Sequence, residues 1–454
     1  MTRYHCEYAY LGGDAAEADV AVEVDRSAIT SVEPGAGRGP GDVVLRGLTL
    51  PGFANAHSHA FHRVLRGRVE RPGSFWSWRE EMYAVAAALD PDRYRRLARA
   101  VFAEMVLAGY SAVGEFHYVH HPAHGGRYAD PNEMGLALFD AAREAGIRLT
   151  LLDTCYLERS PGEPPAGVQR RFSDGDVGAW ARRAEALVAT AETLALRDGV
   201  RVGAAAHSLR ALPPAAAGEV AAWAAARGLP FHVHVSEQPA ENDAVAAAYG
   251  ASPVALLEQA GALGRSTTVV HATHLHPTGA GTLGATGTTV CMCPTTERAL
   301  GDGIGVAATL AAEGCPIALG SDSHAVIDPF EEARALELDE RLGSGERGRF
   351  TTSALLHAAS VAGHAAIGWP EAGRIAPGAS ADLVTVALSS VRLAGVSPGT
   401  LLEHALFAAG PSDVTDVVVS GRHVVAEGRH QLVGDVAREL AAAIDEVVRA
   451  AADS

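Results

Sequence analysis

Residues 51–63 read PGFANAHSHAFHR, an apolar approach that ends in two histidines one residue apart. In a strand, side chains at i and i+2 share a face, so His57 and His59 point together. Two imidazoles placed that way can approach one metal ion at about 2.0–2.1 Å. Alone, an HxH pair still favours two ordinary core or solvated histidines. What surrounds it decides the fold.

Downstream, apolar strand-like runs at 149–153, 201–206, 231–235, 267–271, 288–293 and 317–319 alternate with Ala-rich helical segments such as 91–108 and 179–196. Repeated βα units of this length give a parallel sheet covered on both faces. Near eight units over roughly 320 residues favour an α/β closed (β/α)8 TIM barrel over an open sheet. Polar residues then fall at strand ends. His57 and His59 follow 48–56, Glu115 to Tyr118 follow 109–114, and His207 follows 202–206. His234 and Glu237 close the run at 231–235, His271 that at 267–271, and Asp322 that at 317–319. Barrel enzymes build their sites at that C-terminal face. The Pro-rich stretch 158–174 lacks periodicity and reads as a long loop at the same end, able to serve as a lid.

The chain ends differ from this middle. Alternating segments at 18–24 and 43–50, around a Gly/Pro-rich turn at 33–41, read as short strands, and 373–387 and 414–426 repeat that texture. The expected division is therefore a small β-sandwich domain from 1–50 and 374–430, a barrel over 51–373, and a C-terminal helix over 431–454.

Composition narrows the chemistry. The 454 residues are 48% hydrophobic, ample for a packed core. A net charge of −17 argues against a nucleic-acid partner, which needs a dense basic face. No lysine occurs anywhere, so Schiff-base, P-loop and carbamate lysines are all excluded. Five cysteines make no disulfide framework, and Cys291 and Cys293, in an apolar run, read as core residues. Neither a signal-like N-terminus nor a membrane-length apolar run is visible, so a reducing cytoplasm is expected.

FHVHVSE supplies His234, and GSDSH supplies Asp322. With His57 and His59 they give three nitrogens and one carboxylate, leaving open positions as in a catalytic rather than structural zinc site. Zinc is the first expectation, though Fe²⁺ or Mn²⁺ also suits such a donor set. His232, two residues before His234 and one layer deeper, reads as structural.

The order HxH, His, HxxE, His, SD between β-rich ends resembles the amidohydrolase superfamily, specifically its aminohydrolase branch. Some relatives bridge two metals with a carboxylated lysine; a chain without lysine implies one metal. The resemblance implies that a divalent ion lowers the pKa of its bound water towards about 7. Asp322 would orient that water and take its proton, His271 would share the base role, and Glu237 would protonate the departing nitrogen. Outside the metal motif, HSHAFHRVLRGR (57–68), SFWSWREEMY (74–83), GEFHYVHH (114–121) and HSLRAL (207–212) are similar to the formimidoylglutamate deiminase family. That family, in histidine degradation, converts N-formimidoyl-L-glutamate and water to N-formyl-L-glutamate and ammonia.

Such a substrate is a dicarboxylate amidine. Arg210 beside His207, with Tyr118 and Arg79 from other loops, suits carboxylate recognition by guanidinium forks. Arg79 could instead stack on Trp76 or Trp78, and Arg210 could be a helix-start surface residue. Where the family is expected to carry glutamine after HSHAF, this chain has His62, which bears on the exact substrate. The alternative is an aminohydrolase of the same branch acting on a nucleobase, nucleoside or guanidino compound. A homodimer is a further expectation from the resemblance.

Overall fold

The computed structural model describes residues 1–70, 75–123, 126–193 and 199–453. Ser74, the Trp76 side chain and the last three residues of the helix expected at 179–196 lie outside them. Strands β1 (Thr2–Ala9), β2 (Glu17–Asp25), β3 (Ala28–Glu33) and β4 (Val43–Pro51) precede eight barrel strands. These are β5 (Phe53–Ser58), β6 (Tyr110–His117), β7 (Arg148–Cys155), β8 (Val200–Ser208), β9 (Phe231–Val235), β10 (Thr267–His271), β11 (Thr289–Met292) and β12 (Ile317–Leu319). After them come β13 (Leu383–Val386), β14 (Val414–Val419), β15 (Arg422–Ala426) and β16 (Arg429–His430).

Strands β5 to β12 pair in sequential order, all parallel. A parallel bridge between Ser58 and Asp322 closes the circle. There the Asp322 N–H donates to the His57 carbonyl (3.0 Å), and the His59 N–H to that of Asp322 (3.1 Å). The expected barrel is present, and its seam runs through the metal motif. Most barrel strands are buried along their whole length, as parallel strands under helices must be.

The chain-end strands form a second sheet in the order β16-β15-β14-β13-β4-β1-β2-β3, so both termini build the expected β domain. Tyr4, Cys6, Val20, Val22, Leu45, Leu383 and Val418 give it a core of its own. One difference from the sequence reading concerns 48–56, which is not one strand. The chain changes sheets at Gly52, where a Cβ would fall 2.7 Å from the Ser111 Cβ and 2.8 Å from the Asp382 Cβ. Only glycine fits that crossing.

The helix Pro91–Ala108 illustrates how the sequence punctuates these units. Asp90 accepts the Arg93 N–H at 2.8 Å as its N-cap, proline occupies the first turn, and Gly109 closes it at φ 108°. The final helix, Val436–Ala452, lies against it and is tied by Arg99 to Glu439 (2.6 Å). No helix among the described residues is long and apolar enough to cross a membrane.

Candidate active site

His57 lies near the end of β5, His59 follows it, His234 lies in β9, and Asp322 follows β12. Their donor atoms all lie within 4.8 Å of one another, and all four residues are buried. The His57 Nε2 is 3.3 Å and the His59 Nε2 3.4 Å from Asp322 Oδ1, and the His57 and His234 Nε2 atoms are 3.1 Å apart. His59 Nδ1 donates to the Phe116 carbonyl (3.0 Å), and His234 Nδ1 to that of His207 (2.8 Å). Carbonyls only accept, so both Nε2 atoms turn lone pairs inward. Inward lone pairs facing each other and a carboxylate repel unless a cation sits among them. The residues present fit a divalent metal.

Protonation agrees. Burial lowers His57 to about 3 and lowers His59 and His234 as well, so the imidazoles stay neutral. Burial alone would raise Asp322, but His57, His271 and His59 hold it below the usual carboxylate range. Gly320 lets the chain pass close against His57, because a Cβ there would sit 2.7 Å from the His57 Cβ and 2.9 Å from its carbonyl oxygen.

The loop carrying these donors hangs on residues to which the sequence reading gave no role. Glu115, inside β6 rather than after it, accepts from Ser58 Oγ (2.5 Å) and the Ala60 N–H (2.7 Å). Burial pushes its carboxyl to about 8 despite those bonds. Ser58 also meets His324 (3.1 Å), which binds Ser321 (2.9 Å), which binds Asn55 (2.6 Å). A chain of small polar groups thus locks the seam beneath the metal donors.

Beside the donors, His271 Nε2 is 3.9 Å from both Glu237 Oε1 and Asp322 Oδ2. Its Nδ1 pairs with Glu297 Oε1 (3.3 Å), and that oxygen also accepts the Cys293 N–H (2.9 Å). Burial works against charge on His271, yet Glu237, Glu297 and Asp322 push it up to about 10. A nearby divalent cation acts in the opposite direction. Cys291 and Cys293 are buried core residues, as expected. His232 binds the Ala366 carbonyl (2.9 Å) and is structural.

Above the donors opens a cavity of about 240 Å³ lined by His59, His234, His271, Glu237 and Asp322 below. His62, Arg79, Tyr118, His207 and Arg210 all reach its wall. His62 shares a 3.0 Å hydrogen bond with the Tyr118 hydroxyl, and its ring lies 5.1 Å from Trp78. Arg79 stands 5.5 Å over the Tyr83 ring, and the stacking on Trp76 that the sequence also allowed lies outside the described residues. Arg210 is no surface residue: its Nη2 is 2.9 Å from Glu237 Oε2, and its Nε 3.9 Å from Glu241 Oε2. One guanidinium edge therefore faces the residue expected to act as acid.

The loop at 158–174 lies at this mouth, where Arg159, Ser160, Pro161 and Phe172 line the cavity. Arg171 fastens it, donating to the carbonyls of His121 (2.9 Å) and Leu89 (2.9 Å). Behind it, Arg183 binds Asp153 (2.7 Å) and Asp174 (2.8 Å).

Fold and site define a metal-dependent hydrolase of the barrel type, and the chain belongs to the amidohydrolase family, matched over residues 48–424. It is 40% identical to the formimidoylglutamate deiminase of Pseudomonas aeruginosa over 85% of this chain and 86% of that one. With a 5-methylthioadenosine/S-adenosylhomocysteine deaminase of Natronomonas pharaonis, identity falls to 28% over 83% and 81%. The crystal structure of an amidohydrolase from Brucella melitensis superposes with a TM-score of 0.91 at 34% identity, covering 99% of this chain and all of that one.

Proposed function

We propose that the protein hydrolyses the amidine of N-formimidoyl-L-glutamate, giving N-formyl-L-glutamate and ammonia, with one zinc ion held by His57, His59, His234 and Asp322. The observation that carries this reading is the cavity. It sets a metal-donor cluster beside a carboxylate and a histidine, under walls bearing Arg79, Arg159 and Arg210. A flexible dianion with one reactive end suits such walls. The likeness to the Pseudomonas aeruginosa enzyme supports the same substrate.

Zinc fits three imidazoles and one carboxylate, and when bound it supplies Lewis acidity to a coordinated water and to the amidine. The chain's own groups move the protons. Asp322 Oδ2 faces His271, and this pair takes the proton of the attacking water. Glu237, on the other side of His271 Nε2, carries a proton to the amidine nitrogen that leaves as ammonia. Glu297 holds the His271 ring by its far nitrogen. Arg210 keeps Glu237 fixed at the cavity wall.

Ammonia release from N-formimidoyl-L-glutamate, measured against guanine, cytosine and adenosine derivatives, tests the assignment. Activity confined to the first is expected. Turnover of a nucleobase with none on formimidoylglutamate would sink it.

A further inference from the structure

Gln169 lies in the turn Gly167–Phe172 of the loop over the barrel mouth and is only 7% exposed. Its amide nitrogen donates to two phenols at once, Tyr83 at 2.9 Å and Tyr156 at 2.9 Å. The Ala166 N–H reaches the amide oxygen at 3.4 Å, which fixes the end that faces the tyrosines. Both tyrosines line the cavity, and Tyr156 is 6% exposed.

A phenol that accepts from an amide N–H keeps its own proton to give away. The two phenols share a hydrogen bond, so one O–H of the pair is taken by its neighbour, and the other has no acceptor among the described residues. Burial, followed by the neighbouring Tyr83, raises the Tyr156 phenol, so it stays protonated. Arg79 and Arg210 add positive potential there. A carboxylate entering between the phenols can replace the bond they share and accept from both O–H groups under that potential.

Position names which carboxylate. The Tyr156 ring lies 5.0 Å from the His207 ring, which lies 5.2 Å from the ring of His234. The phenol pair therefore sits one ring further out than the metal donors. A substrate whose amidine lies at those donors brings the far end of its chain to that level.

We propose that Tyr83 and Tyr156, oriented by Gln169, form the subsite for the side-chain carboxylate of the substrate. The ligand's identity rests on the formimidoylglutamate reading; the subsite's chemistry, a terminal carboxylate held by two phenols, does not. Gln169 is a positioning residue, and the phenols touch the ligand.

The test uses the metal-loaded enzyme and the variants Tyr83→Phe, Tyr156→Phe and Gln169→Leu. Calorimetry with glutarate reads binding without turnover, and each phenylalanine variant is expected to bind it about tenfold more weakly. In kinetics, the preference for N-formimidoyl-L-glutamate over N-formimidoyl-2-aminobutyrate, which lacks the far carboxylate, falls about tenfold, mainly through KM. Gln169→Leu lowers the same preference, by less. Equal losses on both substrates, or glutarate binding that is absent from the wild type or unmoved by the variants, would overturn the subsite. If the wild type turns over no formimidoylglutamate while glutarate binding still depends on the two hydroxyls, the functional reading falls and the subsite stands.

Discussion

Replacing Arg210 by methionine removes the cation that Glu237 and Glu241 share. The ion-pair distances are 2.9 Å and 3.9 Å, between side chains 17%, 8% and 0% exposed. At an effective dielectric of about 20, charges at those distances attract by about 6 and 4 kcal/mol. Desolvation offsets most of this, yet removing one partner of a buried pair still costs about 3–5 kcal/mol, because the other charge is stranded. Arg210 opens partly to the cavity, so about 2–4 kcal/mol is the expected loss. Once it is gone, Glu241, which accepts the Glu237 N–H at 3.1 Å, is left beside a like charge, while Glu237 still faces His271 at 3.9 Å.

The consequence differs from that of losing a substrate contact. A residue that only held a substrate carboxylate would raise KM and leave kcat alone. Here Glu237 is itself the proton carrier, so kcat should fall as well. The loss in kcat/KM should reach about thirty- to a thousandfold, the equivalent of that energy. The melting temperature of the metal-loaded protein should drop too. Adding Glu241→Gln to Arg210→Met should restore part of the stability, since it removes the carboxylate that no longer has a partner. Steady-state kinetics on formimidoylglutamate and thermal melts of the two variants decide it. Arg210→Met with an unchanged kcat and an unchanged melt would refute the reasoning and return Arg210 to a purely substrate-binding role.

Elemental analysis should find about one metal per chain, as an open catalytic site implies. The atoms of His271, Cys293 and Glu297 also cluster, but Glu297 Oε1 is already taken by two hydrogen bonds; two tight equivalents, one lost in Cys293→Ala, would contradict this. Glu297→Gln keeps that oxygen and should hold kcat within about fivefold, whereas Glu297→Ala should lower it about a hundredfold with little change in KM. Equal losses would mean that charge, not ring orientation, is what Glu297 provides. Asp174 is held below the usual carboxylate range by His121 and Arg183 although burial opposes them. A depressed native pKa stabilises fully above the unfolded value of about 3.9 and is lost as pH falls from there towards the native value. Asp174→Asn should therefore destabilise by a constant amount from pH 7 to 5 in chemical denaturation, narrowing only below about pH 4; a gap that closes already between 7 and 5 would refute the assignment.

The parts legible in the sequence are those that repeat or punctuate. Strand-like runs separated by helices gave the barrel, because side-chain period is local and the closed sheet needs only eight such units. His57, His59, His234, His271 and Asp322 were legible because each lies at or just past the C-terminal end of a strand, and strand ends meet at one face whatever the loops do. Pairing across distance was not legible. Nothing in HSLRAL says that Arg210 will spend an edge on Glu237, 27 residues later. Glu115 read as part of a strand-end cluster, and only the closed seam shows it holding Ser58 and Ala60 from within β6. Gln169 sat in a stretch without period, where the pattern stops carrying information. The break at Gly52 was hidden because both flanking segments are apolar, and only the approach of Ser111 and Asp382 exposes it.

Backbone conformation at the site was equally invisible. Ser236 (φ 53°), His271 (φ 72°), Ala272 (φ 54°), Asp322 (φ 41°) and His324 (φ 57°) all occupy the left-handed region without being glycine. Each costs of order 1 kcal/mol or more, so no local preference places them there. They share one location, the ends of β9, β10 and β12, where the side chain must turn from the barrel wall to its mouth. Glycine would relieve the strain but would remove the imidazole or carboxylate that the site needs. The residue types are thus set by chemistry and the conformation by geometry, and the rigid barrel beneath holds the two together. Glycine at 272, which carries no side chain the site uses, should therefore be tolerated or stabilising, unless the added freedom loosens His271. A rise in melting temperature with unchanged kcat would separate backbone strain from function, and a fall in both would show that the strain itself keeps His271 in place.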